Sequence, residues 1–400
     1  MINRRAFLGM GLAGTSLLGS GMRLSLAAAS GESRFVFVLL RGGMDGLAAV
    51  PAYGDSAYRK QRGALAIARP GQVGGALDLD GFFGLHPAFS QLHSLYRNQE
   101  LIVAHAGASS YRERSHFDAQ KQLENGTNSP LGSDDGWLNR ALLNLPGTNS
   151  DAIALSQTIP LILHGDAMVN SWSPAVLPQV DDDTIDRIAA MYQGDAFFMD
   201  QFQSALDTRK MAGEMNASSM GARGAGRRNQ NMQVYLEAAA RFLREEEGPR
   251  IAVLESNGWD THANQGGQSG QLANKFAQLD AGLSSFREKL GSSWSNTVVV
   301  VVSEFGRTVA VNGSNGTDHG TAGASFILGG AVAGGKVVAD WPGLSRNNLY
   351  QGRDLRPTLD IRSLFKSVLH DHMQVSSRAL DRHVFPDSKQ LSTRPDLIRS

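Results

Sequence analysis

The chain has 400 residues with 38 basic and 38 acidic side chains, and it contains no cysteine. The balanced charge argues against nucleic acid or an anionic membrane surface as a partner, because neither is attracted to a neutral protein. Without cysteine, disulfides and thiolate metal sites are excluded, so a bound metal would need Asp, Glu, His, Ser, Asn or backbone oxygen as ligands.

The first 29 residues predict a twin-arginine signal peptide. Arg4 and Arg5 form its charged start, residues 9–26 are apolar and glycine-rich apart from Arg23, and alanines at 27–29 suit a signal peptidase. The order Asn-Arg-Arg-x-Phe-Leu resembles the signal of the twin-arginine translocase, which is the expected partner during export. A membrane anchor and a native first helix are the alternatives. The mature protein is expected in the periplasm or secreted, with no stable membrane span after cleavage.

Short apolar runs predict strands that are buried on both faces, as in a parallel sheet. The run at 297–302 is the strongest because its valines are β-branched and fit a pleated surface. In chain order, the predicted strands lie at 35–40, 101–104, 161–163, 251–254, 297–302 and 325–328.

A long amphipathic helix precedes the strongest strand. Its apolar positions recur at steps of four and three, which gives one buried face, and they are Leu272, Phe276, Leu279, Leu283, Phe286 and Leu290. Alternating strands and helices predict an α/β fold with a mostly parallel central sheet and helices on both faces.

Residues 30–400 are expected to form a single domain. Within it, residues 55–85 predict irregular surface, and a mobile helical or loop insertion is expected around 180–245. The stretch 208–232, rich in Met, Gly and Arg, is interpreted as a loop between helices, with a lid or partner-binding segment as the alternative.

Chemically capable side chains follow the predicted strands. In open α/β sheets, ligands bind beyond the carboxyl ends of the strands, so these side chains are expected to share one site. The candidates are Asp45, Ser115, His116, Asp260, His262, Glu304, Arg307, Asp318 and His319. Structural alternatives exist: Asp45 suits a turn, Ser115 suits a helix cap, and Glu304 suits an ion pair with Arg307. Asp260 and His262 suit a solvated loop, and Asp318 and His319 suit a turn.

The mixture of carboxylates and imidazoles in this set predicts one or two divalent metal ions. Zn²⁺, Mn²⁺, Mg²⁺ and Ca²⁺ all accept such ligands, and the residues do not distinguish among them. Two ions about 4 Å apart would suit a phosphoryl transfer.

Five motifs resemble, in this order, a family of exported proteins of unknown function, DUF1501. They are RGGMDG at 41–46, RSHFDAQ at 114–120, GWDTH at 258–262, SEFGRT at 303–308 and DHG at 318–320. The resemblance covers essentially the whole mature chain. That family in turn resembles the alkaline phosphatase–sulfatase superfamily, which implies a parallel-sheet domain with one or two metals and a Ser or Thr nucleophile.

The resemblance implies a role for each matching residue. Ser115 matches the nucleophile at a helix start, and the implied metal ligands are Asp45, Asp260, His262, Glu304, Asp318 and His319. The chain departs from the superfamily at two points, with Asp-x-His in place of Asp-x-x-x-His and Glu304-Phe305 in place of Asp-His. His116 or His105 would have to supply the missing imidazole. The formylglycine pattern of sulfatases is absent from the sequence.

The leading hypothesis is a metal-dependent hydrolase of phosphate or sulfate esters, acting on a small or polymeric anionic substrate. Ser115, His116 and Arg307 are the predicted catalytic residues, and Arg41 and Arg114 are predicted to bind the substrate oxyanion. The alternative is a non-catalytic periplasmic binding protein on a degenerate version of the fold. A serine hydrolase is a weaker third, because Gly313-Ser314 lacks the rest of a nucleophile elbow.

Overall fold

The protein is described here by a computed structural model, which covers residues 33–146, 152–174, 182–192, 194–212 and 231–399. The predicted signal peptide at 1–29 lies outside these residues, so it stays a prediction. Most of the predicted loop at 208–232 also lies outside them.

The strands of the described ranges are β1 (Arg34–Arg41), β2 (Leu77–Asp78), β3 (Gly84–Leu85), β4 (Leu101–Ala108), β5 (Ala152–Leu155), β6 (Val169–Trp172), β7 (Ile251–Asn257), β8 (Thr297–Val302), β9 (Gly323–Leu328), β10 (Lys336–Val338) and β11 (Leu359–Asp360). Nine of them form a central sheet in the order β10-β4-β9-β8-β1-β7-β5-β6, with β11 paired to β4. Every pairing in this sheet is parallel except those of β9, which runs antiparallel to both β4 and β8. A two-stranded antiparallel hairpin, β2–β3, lies apart from it.

Helices cover both faces of this sheet, as predicted. The α-helices in the described ranges are α1 (Gly46–Ala49), α2 (Tyr58–Arg62), α3 (Ser90–Arg97), α4 (His116–Asn125), α5 (Trp137–Leu142), α6 (Asp182–Tyr192), α7 (Ala196–Ala212), α8 (Asn231–Arg244), α9 (Gln271–Leu290), α10 (Arg362–Ser367) and α11 (Ser377–Ala379). None of the described helices is both long and apolar enough to span a bilayer.

The alternation of side chains along β1 divides the core into two layers, because successive residues of a strand point to opposite faces. Val36 and Val38 face the layer that contains α3, α8 and α9. Phe35 and Phe37 face the layer of α5 and α10, where Phe37 meets Trp137 edge-on with ring centroids 5.5 Å apart. Both layers are almost fully buried. The continuous apolar sequence of β1 is explained by this double burial.

Two sequence predictions about local structure need correction. Leu161–Leu163, predicted as a strand, is a 3-10 helix that follows Pro160. Three apolar residues are too few for periodicity to separate a strand from a buried turn. The segment 55–85 is largely irregular, as predicted, but it is not all surface, because Tyr58 and Leu65 are buried.

The predicted insertion around 180–245 contains α6, α7 and the packed helix α8. Leu236 and Phe242 of α8 are fully buried and join the core with α9. The mobility predicted for this insertion remains a prediction.

The central strands end at one edge of the sheet. β1 pairs in parallel with β7 on one side and with β8 on the other. In open α/β sheets, ligands bind in the crevice beyond the carboxyl ends of the strands. The segments that follow β1, β4, β7 and β8 carry the candidate site residues.

A buried histidine in β4 is expected to make the fold sensitive to acid. The His105 Nε2–H donates to the Val50 carbonyl (3.1 Å), and its Nδ1 accepts from the Ala106 amide (2.9 Å). Burial lowers the pKa of His105 to about 4. A second proton would both charge the buried ring and break the bond from Ala106.

We therefore expect His105→Gln to reduce the acid sensitivity of folding. The folded pKa lies below the ordinary value of about 6.5, so this histidine's stabilisation is complete above pH 6.5 and falls as pH drops toward 4. The glutamine variant should lose about 3 kcal/mol less than the wild type over this window. Urea unfolding at pH 7, 5.5 and 4 measures it, with the exposed His164→Gln as control. If the free energy of unfolding of His105→Gln fell with decreasing pH as steeply as that of the wild type, the expectation would be contradicted.

Candidate metal centre

Four side chains from three separate segments meet beyond the carboxyl ends of the central strands: His116, Asp260, His262 and His319. His116 is the first residue of α4, Asp260 and His262 lie in the loop after β7, and His319 precedes β9. Three of these four side chains, His116, Asp260 and His319, offer ligand atoms that all lie within 4.8 Å of one another. The structure thus brings together residues that lie up to 203 positions apart in the sequence.

The three imidazoles face each other through their Nε2 atoms. The Nε2 of His319 lies 3.0 Å from that of His116 and 2.9 Å from that of His262. The Asp260 carboxylate closes the group. Its Oδ1 is 3.0 Å from His262 Nε2 and 3.3 Å from His319 Nε2, and its Oδ2 is 3.4 Å from His116 Nε2.

Each imidazole is held from behind through its Nδ1. His116 Nδ1 contacts Glu304 Oε1 (2.7 Å), and His262 Nδ1 contacts Asp318 Oδ1 (3.1 Å). His319 Nδ1 contacts the carbonyl oxygen of Arg114 (2.9 Å). Carbonyl and ionised carboxylate oxygens only accept hydrogen bonds, so each neutral ring carries its proton on Nδ1. The Nε2 of His319 therefore faces the lone pairs of both other imidazoles.

This arrangement suits a metal ion. The lone pair on His319 Nε2 lies about 3 Å from those of His116 and His262, and such lone pairs repel each other unless a proton or a cation lies between them. With zinc–nitrogen distances of about 2.0–2.1 Å, the donor atoms of a zinc site are about 3.3 Å apart. The contacts of His319 with the other two imidazoles and of Asp260 with all three, from 2.9 to 3.4 Å, are close to this value. His116, Asp260 and His319 form the compact set of three ligand atoms, and His262 adjoins it through Asp260 and His319. Carboxylates and carbonyls behind the histidines are also the usual supports of metal-bound imidazoles.

Glu304 supports this centre from a buried position. Its Oε1 accepts hydrogen bonds from His116, from the Gln120 side chain (2.8 Å) and from the Gly42 amide (2.8 Å). Burial acts to raise the pKa of Glu304, but these hydrogen bonds outweigh it and hold the pKa below its usual range. The same contact with Glu304 raises the pKa of His116. Glu304, predicted as a direct ligand, thus lies behind His116.

Arg307 supports Asp260 in a similar way. Its guanidinium is fully buried and donates to Asp260 Oδ1 and to the backbone oxygen of Thr317. Partial burial acts to raise the pKa of Asp260, but Arg307 outweighs it, so the pKa of that carboxyl lies below its ordinary value. By contrast, burial lowers the pKa of His319.

The backbone is shaped to bring these loops together. Arg114 adopts the left-handed conformation (φ 63°), which is uncommon for a residue other than glycine. Its carbonyl oxygen accepts the hydrogen bond from His319 Nδ1. A Cβ on Gly42 would lie 2.5 Å from the Asp260 amide nitrogen, so only glycine allows the two loops to approach this closely.

Asp45 lies apart from the four donors. Its Oδ1 caps α1 by accepting from the Leu47 and Ala48 amides (3.1 Å each). Its Oδ2 accepts from Arg62 and from Gln265 (2.7 Å). Both oxygens are therefore already occupied, and the structure gives no sign of the ligand role that the resemblance implies.

The two arginines predicted to bind substrate already have carboxylate partners. Arg41 pairs with Glu124 (2.9 Å) and with Glu255, and Arg114 pairs with the buried Asp354 (2.8 Å). Neither guanidinium is free to bind an anion bidentately in this arrangement.

Ser115 is the N-cap of α4, directly before His116. Its Oγ accepts a hydrogen bond from the Asp118 amide at 3.5 Å, so the predicted cap is present. The hydroxyl thus lies at a helix N-terminus beside the centre. His105, the other candidate for the missing imidazole, lies inside the core and not in this group.

Three neighbours of the centre were missed by sequence reasoning. Asn312 donates to Asp318 Oδ1 (2.9 Å), and the Phe305 ring packs against His116, with centroids 4.8 Å apart. Arg353 donates to the His319 carbonyl and lies 3.5 Å from the Asp354 carboxylate, and its side chain is 42% exposed, so it is an accessible guanidinium beside the centre. Only their position after strands or in glycine-rich loops could have indicated them.

Comparison with known proteins identifies the family. A family profile described as protein of unknown function (DUF1501) matches residues 104–384, more than half of the chain. The chain belongs to DUF1501. No curated protein matches the sequence. The DUF1501 match includes all four residues of the centre.

Solved structures show only a distant likeness to this DUF1501 protein. The PsFucS1 sulfatase from Pseudoalteromonas sp. has a TM-score of 0.41 at 11% identity, with 92% of this chain and 74% of that chain covered. The C-terminal periplasmic domain of EptC from Escherichia coli, in complex with Zn, has a TM-score of 0.39 at 11% identity (92% and 93%). The phosphonate monoester hydrolase of Agrobacterium radiobacter has 0.38 at 9% (86% and 74%). These values are too low for the likeness to bear on activity.

Proposed function

We propose that this protein is an exported metal-dependent hydrolase of phosphate or related esters. The observation that carries the proposal is the convergence of three imidazole Nε2 atoms and one carboxylate, with each imidazole held from behind by an acceptor. Such a donor set has a clear use as a cation site and is costly without a cation.

The donor set favours zinc or another transition metal over magnesium or calcium. Nitrogen-rich sites suit Zn²⁺, whereas the two hard cations prefer sites made of oxygen. The residues proposed to hold the ion are His116, Asp260, His262 and His319. When bound, the ion would act as a Lewis acid on an ester oxygen.

Ser115 is the proposed nucleophile. Its hydroxyl lies at the N-terminus of the ten-residue helix α4, where backbone N–H groups and the helix dipole favour negative charge. The same environment favours the alkoxide form of the serine and the anionic group of an ester. Arg353 is the proposed contact for that anionic group, because its side chain is 42% exposed and its contact with Asp354 is long (3.5 Å). Arg41 and Arg114 are held more closely by their carboxylate partners, at 2.9 and 2.8 Å.

A non-catalytic metal-binding protein is the second candidate. His262 adjoins the set formed by His116, Asp260 and His319, and with it four protein donors would complete a tetrahedral shell, whereas catalytic zinc sites keep one position open. The exposure of the centre bears on this choice, because the side chains of Asp260 and His262 are 37% and 44% exposed. An ion here would thus be open to solvent on one side. Hydrolysis of an ester substrate by the metal-loaded protein is the property that separates the two candidate functions.

Metal analysis of the purified mature protein tests the proposal. We expect about one zinc-type ion per chain, and removal by a chelator should abolish hydrolysis of 4-nitrophenyl phosphate, bis(4-nitrophenyl) phosphate or 4-nitrophenyl sulfate. Zn²⁺ should restore it. A metal-free protein after reconstitution would contradict the proposal, and a metal-loaded protein without turnover would support the binding protein. Cell fractionation with Arg4 and Arg5 both replaced by lysine tests the export.

A further inference from the structure

A chain of buried polar side chains runs from Asp45 to the metal-binding loop, and the proposed function does not use it. We propose that this chain is a positioning relay that fixes Asp260 and His262 for metal binding. The inference rests on the metal centre proposed above. Its members are Asp45, Gln265, Thr261, Thr317 and Arg307, which are between 0% and 3% exposed.

The relay begins at a fixed charge. The Asp45 carboxylate can only accept hydrogen bonds, and the buried Arg62 guanidinium provides its counter-charge. Its Oδ2 also accepts from Gln265 Nε2 (2.7 Å). The Gln265 amide must therefore present its NH₂ group to Asp45 and its Oε1 in the other direction.

That orientation of the Gln265 amide determines the direction of the hydrogen bonds made by the hydroxyls of Thr261 and Thr317. Gln265 Oε1 accepts from Thr261 Oγ1 (2.8 Å) and from Thr317 Oγ1 (2.7 Å). Both hydroxyls must donate to it, so the lone pairs of Thr317 Oγ1 remain free to accept from Arg307 Nε (3.2 Å). All the donors in the relay are thus assigned, starting from Asp45.

The relay reaches the centre at two points. Thr261 lies between Asp260 and His262 in the sequence, so its anchored hydroxyl fixes the backbone that carries both ligands. Arg307, held by Thr317, donates to Asp260 Oδ1. Asp45, implied as a ligand by the family resemblance, would then act on the metal only through other residues.

Zinc affinity of the Thr261→Val and Thr317→Val variants tests the relay. Valine has the shape of threonine but cannot hydrogen-bond, so each change removes one link with little loss of packing. We expect each to weaken Zn²⁺ binding by about 10-fold, at the low end of the range for groups that support metal ligands. Competition of the apo-protein with a chromophoric chelator for Zn²⁺ alone measures it without reference to activity. Thr261→Ser keeps the hydroxyl and should bind like the wild type.

Thr297→Val is the matched control. Thr297 is fully buried at the opposite end of the sheet, and its Oγ1 donates to the Ser293 carbonyl (2.7 Å). It should lose a similar free energy of unfolding, about 1 kcal/mol for one hydrogen bond, with unchanged zinc affinity. Wild-type affinity in both relay variants would overturn the relay and leave the metal centre intact. A wild-type protein that binds no zinc would overturn both.

Discussion

His319→Ala is expected to abolish measurable zinc binding. His319 is the imidazole at the middle of the group, since its Nε2 lies within 3.0 Å of the Nε2 atoms of both other histidines. Replacing His319 by alanine removes one nitrogen ligand of the metal and the hydrogen bond between His319 Nδ1 and the Arg114 carbonyl oxygen. The loss in affinity should exceed the roughly 10–100-fold caused by changes to groups behind the ligands. Zinc titration of the apo-protein, followed by elemental analysis after gel filtration, gives the result.

His370→Ala serves as the control for this experiment. His370 is partly exposed and contacts Asp371 (2.7 Å), so its loss changes the histidine count without touching the centre. This variant should keep about one ion per chain. If His319→Ala retained the wild-type zinc content, the four-donor centre would be wrong.

Ser115→Ala should leave the metal content unchanged and reduce turnover by at least about 10³-fold, because it removes the proposed nucleophile. The variant also loses a helix cap, which costs about 1 kcal/mol of stability. Steady-state hydrolysis of the best ester found for the wild type, together with metal analysis, measures both properties on one preparation.

The loss of the cap is controlled by Ser376→Ala. Ser376 caps α11 by accepting from the Ala379 amide (3.2 Å), so the two alanine variants lose the same kind of hydrogen bond. Only Ser115 adjoins a residue of the centre. A Ser115→Ala enzyme as active as Ser376→Ala would exclude Ser115 as nucleophile, and an attacking water would then be the better candidate.

The sequence predicts the sheet well because burial on both faces leaves a direct mark. β1 and β8 are continuous apolar runs, and the strands buried most deeply carry the clearest pattern. The run at 161–163 is equally apolar, but it follows Pro160 and is too short to show the two-residue repeat of a strand. The direction of β9 could not be predicted, since an apolar run of this length contains no information on which way its neighbours run.

The site is predicted at the level of loops and less well at the level of single atoms. The strand-end rule indicates correctly that the segments of His116, Asp260 and His319 meet. It cannot tell a metal ligand from the residue that supports the ligand. His116 and Glu304 both follow strands, and only the folded structure shows that Glu304 contacts His116 from behind. The partners of Asp45 lie 17 and 220 residues away, at Arg62 and Gln265, and no local pattern connects them.

The wide spacing of the donors along the chain has a consequence for the choice of metal. His116 and Asp260 are separated by three strands of the central sheet, β5, β6 and β7, so the complete donor set exists only after the chain has folded. The predicted translocase carries folded proteins across the membrane. The ion would then be selected in the compartment where the chain folds, from the metals buffered in the cytoplasm, and not from those available where the protein works.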